Sequence, residues 1–281
     1  MHTHLVSVAT LAGRNQREDW LIIDARHDLA DPTASERAYA QGHIAGAHFL
    51  HLDRDLSGTK DGRNGRHPLP ARADFAARMA ALGLTSGTQV AAYDAQGGMF
   101  AARLWWMLRW LGHEAVAVLD GGLPAWTGAG HSLSTEPPAP RARATTYDIS
   151  SRAPVRHATE VLSRLDDATQ LIVDARAPDR FRGENETLDP VGGHIPGARN
   201  RFFKDNLAAD GRFKPAAQLR DEWQQVLGAT PAAQVVHQCG SGVTACHNLL
   251  ALEVAGLGGG MLYPGSWSEW CSEPSRPVER G

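Results

Sequence analysis

Residues 21–28 read LIIDARHD, and residues 171–178 read LIVDARAP. A short aliphatic run closing on an acid is the pattern of a strand buried on both faces that empties into a polar loop. The same words return 150 residues later, and the neighbouring text returns with them. GHIAGAHF (42–49) is echoed by GHIPGARN (193–200), VAAYDAQGG (90–98) by VVHQCGSGV (235–243), and LDGGLPAW (119–126) by LYPGSWSEW (262–270). Four matches in one order at nearly constant spacing define a tandem duplication.

Within each copy, strand-like runs alternate with helical patterns. Residues 20–24, 89–93, 170–174 and 234–238 read as buried strands, while 73–82, 215–227 and 243–255 carry helical spacing. That alternation predicts an α/β fold, two tandem domains each built on a mainly parallel sheet with helices on both faces. The first domain is expected over residues 1–135 and the second over 151–281. Residues 136–150 form the linker, in a stretch rich in Pro, Ser and Thr.

Composition narrows the function classes. Apolar residues make up 42% and charged residues 21% of the 281, a globular balance. A net charge of −3 supplies no basic field for nucleic acid or for an anionic membrane. No apolar run approaches the roughly 18 residues that span a bilayer, and the first residues, MHTHLVSVATLAGRNQRED, lack the build of a signal peptide. The chain is expected to be soluble and cytoplasmic. Three cysteines, Cys239, Cys246 and Cys271, are too few for a disulfide framework and agree with a reducing compartment.

The loop after residue 238 carries the chemistry. A buried strand delivers Cys239 into Gly240, Ser241 and Gly242, ahead of a helix that opens near Val243 and Thr244. Small residues let backbone N–H groups converge above a helix N-terminus, and such a nest holds an anion. A sulfur at its focus is favoured as thiolate, which makes Cys239 a nucleophile. At the matched position the first copy has Asp94, which cannot accept sulfur, so one domain is expected to be active and the other inactive.

With its CGSGVT loop, its LDGG…W and GSWSEW elements and its duplication, nearly the whole chain resembles the tandem rhodanese-type sulfurtransferases, specifically their 3-mercaptopyruvate branch. The fold implied is two rhodanese-like domains. The activity implied is transfer of sulfane sulfur from 3-mercaptopyruvate through a Cys239 persulfide to a thiol such as thioredoxin or glutathione, or to cyanide, with no cofactor or metal. Thiosulfate-preferring relatives carry basic residues after the cysteine, where this chain has Gly240 and Ser241. The resemblance further implies that Ser241 works with His67 (in GRHPLP) and Asp53 (in HLDRDL), a chain able to manage protons. Arg180 takes the substrate carboxylate, with Arg182 assisting, while Gly240, Gly242, Val243 and Thr244 complete the binding loop. A second family arginine is expected nine residues after the first; that position is Asp189, leaving Arg176 or Arg199 to compensate.

Thiosulfate:cyanide transfer by the same persulfide, and a redox or sulfur sensor using Cys239 with Cys246 as partner, are the alternatives. A Cys-x5-Arg phosphatase fails because the sixth position after Cys239 is Ala245. His43 and His194 recur in both copies and are expected to hold the fold rather than a metal. His237, Cys239, Cys246 and His247 do not have a standard zinc spacing.

Overall fold

The computed structural model describes residues 1–15, 17–143, 153–167 and 169–281. It divides into two compact units. Unit 1 comprises residues 1–58, 70–153 and 209–212, and unit 2 comprises 59–69, 154–208 and 213–281. Residues 59–69 lie within the first repeat in sequence yet cluster with unit 2. Of the expected linker, 136–143 run without helix or strand and 144–150 lie outside the described residues.

Unit 1 holds five parallel strands, β1 (Leu5–Val6), β2 (Trp20–Asp24), β3 (Ala47–Phe49), β4 (Gln89–Tyr93) and β5 (Val116–Leu119), in the order β1-β5-β4-β2-β3. Every residue of β2 and β4 is buried. Successive side chains of a strand point to opposite faces, so both faces of the sheet centre are covered. Unit 2 repeats the plan with β6 (Leu171–Asp174), β7 (Arg199–Asn200), β8 (Val235–Gln238) and β9 (Met261–Leu262), in the order β7-β6-β8-β9. Its fifth position is reduced to a single parallel bridge between Val155 and Leu262. Both sheets are parallel throughout, and the α/β plan of two like domains stands.

The repeated words hold equivalent places. In unit 1 the Asp24 carboxylate accepts from the Arg26 amide and Nε, while Arg26 Nη2 donates to the Gly42 carbonyl at 2.8 Å. In unit 2, Asp174 accepts from the Arg176 amide and Nε, and Arg176 Nη2 donates to the Gly193 carbonyl at 2.7 Å. The DAR acid and arginine thus tie the end of the central strand to the start of the GHI loop. Both pairs are buried, so each charge needs the other. The GHI histidines are framework too. His43 stacks on Tyr39 with its Nδ1 at the Tyr39 carbonyl, and His194 stacks on Phe181 with its Nδ1 at the Phe181 carbonyl.

Helices flank these strands close to their expected positions, at Arg72–Ala81, Ala216–Leu227 and Thr244–Val254. The last of these starts directly after the Cys239 loop and is apolar nearly all round, with all eight residues from Ala245 to Leu252 buried. A buried helix and a buried strand fix both ends of the loop between them.

Candidate active site

Strand β8 ends at Gln238, and the chain turns through Cys239, Gly240, Ser241 and Gly242 into the helix at Thr244. The Ser241 and Gly242 amides point at Cys239 Sγ from 3.5 and 3.1 Å. Gly242 has φ +77°, which turns its N–H inward; a β-carbon there would overlap the Pro264 carbonyl. The sulfur thus lies at the focus of a backbone nest, nearly buried at 2% exposure. The Cys239 carbonyl accepts from the Trp267 amide, and its own N–H donates to Ser266 Oγ at 3.1 Å.

The expected serine and histidine come together. His67 Nδ1 lies 2.7 Å from Ser241 Oγ, and both side chains are buried. His67 reaches unit 2 because residues 59–69 fold as part of it: Asp61 caps the Arg63 and Asn64 amides, and the Arg66 amide donates to Ser268 Oγ. Asp53 belongs to unit 1, where its carboxylate stands 3.7 Å from His27 Nε2.

Arg180 lies beside the loop, its Nη2 and Nη1 3.5 and 3.6 Å from where a β-carbon on Gly240 would sit. Arg66 Nη2 is nearer still, 2.8 Å from that point. Glycine at 240 therefore admits two guanidiniums against the loop backbone. Reasoning from the sequence missed Arg66; its only signal was adjacency to His67. Neither Arg176 nor Arg199 fills the second place. Arg176 is spent on Asp174 and Gly193 and stacks on Trp267, while Arg199 Nη1 donates to the Val226 carbonyl. The Arg182 fork closes on Glu184 in an exposed ion pair. Val243 and Thr244 form the cap and first residue of the helix.

Acids hold the two arginines. Arg180 donates Nε and Nη2 to Glu186 and approaches Asp189 Oδ2 at 3.4 Å, and Arg66 Nη1 bonds Asp189 Oδ1. Burial pushes Asp189 above its ordinary value, against the attraction of Arg66. Burial also acts on Glu186, but the Leu188 amide and Arg180 outweigh it and hold that carboxyl below its usual value.

The remaining thiols are embedded. Cys246 is fully buried and its S–H donates to the Gly242 carbonyl, and burial pushes Cys271 up to about 11. Among the described residues, the only group of three ligand-type side chains close enough to share an ion is His27, His51 and Asp53 in unit 1. His51 already accepts from the Asp53 amide at Nδ1 and faces the Pro32 carbonyl at Nε2, which leaves it no lone pair for a metal.

A parallel-stranded α/β domain that presents a cysteine in an amide nest is the architecture of the rhodanese-like domain, and residues 7–129 and 157–273 each match that family. The chain belongs to the rhodanese family, with two copies of its domain, and is a sulfurtransferase. Over 279 residues it is 46% identical to a probable 3-mercaptopyruvate sulfurtransferase of Pseudomonas aeruginosa, covering 99% of this chain and 98% of that one. A thiosulfate sulfurtransferase of Cricetulus griseus is 33% identical, covering 92% and 88% of the two chains. Among solved structures, 3-mercaptopyruvate sulfurtransferase from Leishmania major superposes with a TM-score of 0.84 at 30% identity, over 98% of this chain and 75% of that one. SseA of Escherichia coli, described as a 3-mercaptopyruvate sulfotransferase, gives 0.80 at 32% identity, over 95% and 99%.

Proposed function

We propose that the chain takes sulfur from 3-mercaptopyruvate onto Cys239 and passes it from the persulfide to a thiol acceptor. The observation that carries this reading is the amide nest on Cys239 Sγ with uncharged Gly240 and Ser241 following it, flanked by Arg180. The Cys239 thiolate attacks the donor sulfur; an S–S bond forms as the C–S bond breaks, and pyruvate leaves as its enolate. The enolate takes up one proton, which the Ser241 and His67 pair is placed to deliver. The Ser241 and Gly242 amides are placed to hold the charge of the persulfide. An acceptor thiolate then takes the outer sulfur and restores Cys239. Asp53 is assigned to orient His67, as the resemblance implies. Arg180 binds the donor carboxylate with its planar fork. Thioredoxin, glutathione and cyanide are the acceptors of matching chemistry.

A chain with only three cysteines suits a reducing compartment, and we place the protein in the cytoplasm. No helix among the described residues is long and apolar enough to cross a membrane.

The test is steady-state sulfur transfer to cyanide from 3-mercaptopyruvate and from thiosulfate, side by side. A higher kcat/KM with mercaptopyruvate is expected. A higher value with thiosulfate keeps the persulfide and reassigns the donor. Oxidation of Cys239 without turnover of either donor overturns the transferase reading in favour of a sensor.

A further inference from the structure

Three guanidiniums and three carboxylates meet beside the Cys239 loop: Arg66, Arg176 and Arg180 against Asp174, Glu186 and Asp189. The cluster is neutral as a whole. Asp189 is its joint, bonding Arg66 on one oxygen and approaching Arg180 on the other, with its side chain 3% exposed. It stands where the resemblance leads to an arginine.

We infer that Arg66 supplies the second guanidinium for the donor carboxylate, and that Asp189 is a positioning residue that aims Arg66 and confines the site to singly charged donors. The inference rests on the sulfur-transfer reading above. Arg66 gives Nη1 to Asp189, and its other terminal nitrogen, Nη2, is the one that reaches Gly240. Arg180 gives Nε and Nη2 to Glu186, and its Nη1 and Nη2 border the same glycine. Each arginine is thus anchored at one edge by an acid and presents nitrogen to the loop with the other. Two such nitrogens suit the two oxygens of one α-keto acid carboxylate. An arginine at 189 would set four neighbouring cations against two acids, a field that favours a dianion such as thiosulfate. The acid supplied by Asp189 removes that surplus.

The test compares alkylation of Cys239 by iodoacetate and by iodoacetamide, which differ by one carboxylate charge, with mass spectrometry to confirm the modified cysteine. Asp189→Asn is expected to raise the iodoacetate-to-iodoacetamide rate ratio by about fivefold, and Arg66→Gln to lower it by about as much, in keeping with one charge near the thiolate at protein-like dielectric. Asp189→Glu should restore the ratio towards the parent. In steady state, Asp189→Asn should raise kcat/KM for thiosulfate relative to mercaptopyruvate. Arg66→Gln should raise KM for mercaptopyruvate by about tenfold with kcat nearly kept. An unmoved alkylation ratio in Arg66→Gln or in Asp189→Asn overturns the inference; if Asp189→Asn does not fold, Arg66→Gln and Asp189→Glu still decide it. Alkylation needs no sulfur transfer. Shifted ratios in a chain that turns over neither donor would therefore retire the function and keep the charge assignment, while normal turnover with unmoved ratios would do the opposite.

Discussion

The loop after β4 and the loop after β8 are built on one plan and hold different anions. In unit 1 the Asp94 carboxylate accepts from the Gln96 and Gly98 amides on Oδ1, at 2.8 and 2.9 Å, and from Phe100 and Ala101 on Oδ2, at 2.8 and 2.9 Å. In unit 2 the amides of Ser241 and Gly242 point at Cys239 Sγ. A strand running into a helix through a tight loop gathers N–H groups whether or not chemistry follows, and the gathered groups need an acceptor. The first copy satisfies them with a permanent carboxylate. The second leaves them to a sulfur that can gain and lose an atom. The residue at the head of the loop, Asp94 or Cys239, is what gives one copy a fixed acceptor and the other a reactive one.

The widest separation should appear on removing each side chain. Cys239→Ala is expected to cut sulfur transfer at least about a thousandfold, since it removes the sulfur at the focus of the nest, while unfolding free energy falls by about 1–2 kcal/mol because two amides lose their acceptor. Residual turnover above a tenth of the parent would break the assignment of Cys239. Asp94→Ala inverts the pattern. It strands four amides, three of them buried, and should lower the stability of unit 1 by about 2–4 kcal/mol, read as a shifted urea midpoint. Burial already pushes the Asp94 carboxyl up, and the four amides oppose that rise, so the site is one where the acceptor matters more than the charge. An unchanged midpoint would show that the unit 1 nest needs no acceptor.

The strands feeding the two loops differ as well. The position of Ala92 in β4 is taken in β8 by His237, fully buried, with neither ring nitrogen bonded among the described residues. Burial alone brings its pKa down to about 3. The folded value lies below the unfolded value of about 6.5, so folding is favoured by the neutral ring. That stability is full above about pH 6.5 and is lost as pH falls from there towards 3, because the unfolded chain takes a proton that the folded chain refuses. Between about pH 6.5 and 4.5 the loss should be about 2 kcal/mol and confined to unit 2. His237→Met, which needs no hydrogen bond, should flatten the fall in melting temperature over that window. An equally steep fall in the variant would move the acid sensitivity to another group.

Much of this was legible in the sequence, for a physical reason. Buried parallel strands and the DAR and GHI ties are local patterns, and duplication wrote each of them twice. Cys239, Ser241 and Arg180 sit in short contiguous motifs, so the sequence alone singles them out as candidates. Arg66 was not, because its partner Asp189 lies 123 residues away and pairing across that span leaves no periodic mark. The allegiance of residues 59–69 to unit 2 was hidden likewise, since a repeat assigns a segment by order and not by what it packs against.

Ser266 offers the finest comparison. It is the only non-glycine with positive φ among the described residues, at +54°, and Gly122 holds the matched place in unit 1 at +58°. A β-carbon on Gly122 would overlap the Asp94 carbonyl, so unit 1 keeps glycine. Unit 2 keeps a serine despite roughly 1 kcal/mol of backbone strain, and the hydroxyl explains why. Ser266 Oγ donates to the Tyr263 carbonyl at 2.9 Å and accepts from the Cys239 amide at 3.1 Å. Ser266→Gly relieves the strain and forfeits two buried hydrogen bonds of about 1 kcal/mol each, so the net change in stability should stay within about 1 kcal/mol. Activity should fall more than stability, by about threefold to tenfold in kcat, because the lost acceptor is the one that fixes the backbone of the nucleophile. Equal losses from Ser266→Gly and Ser266→Ala would support the hydroxyl as the cause. A full rate in the glycine variant would mean that the nest alone aims Cys239, and that the strained serine serves folding rather than transfer.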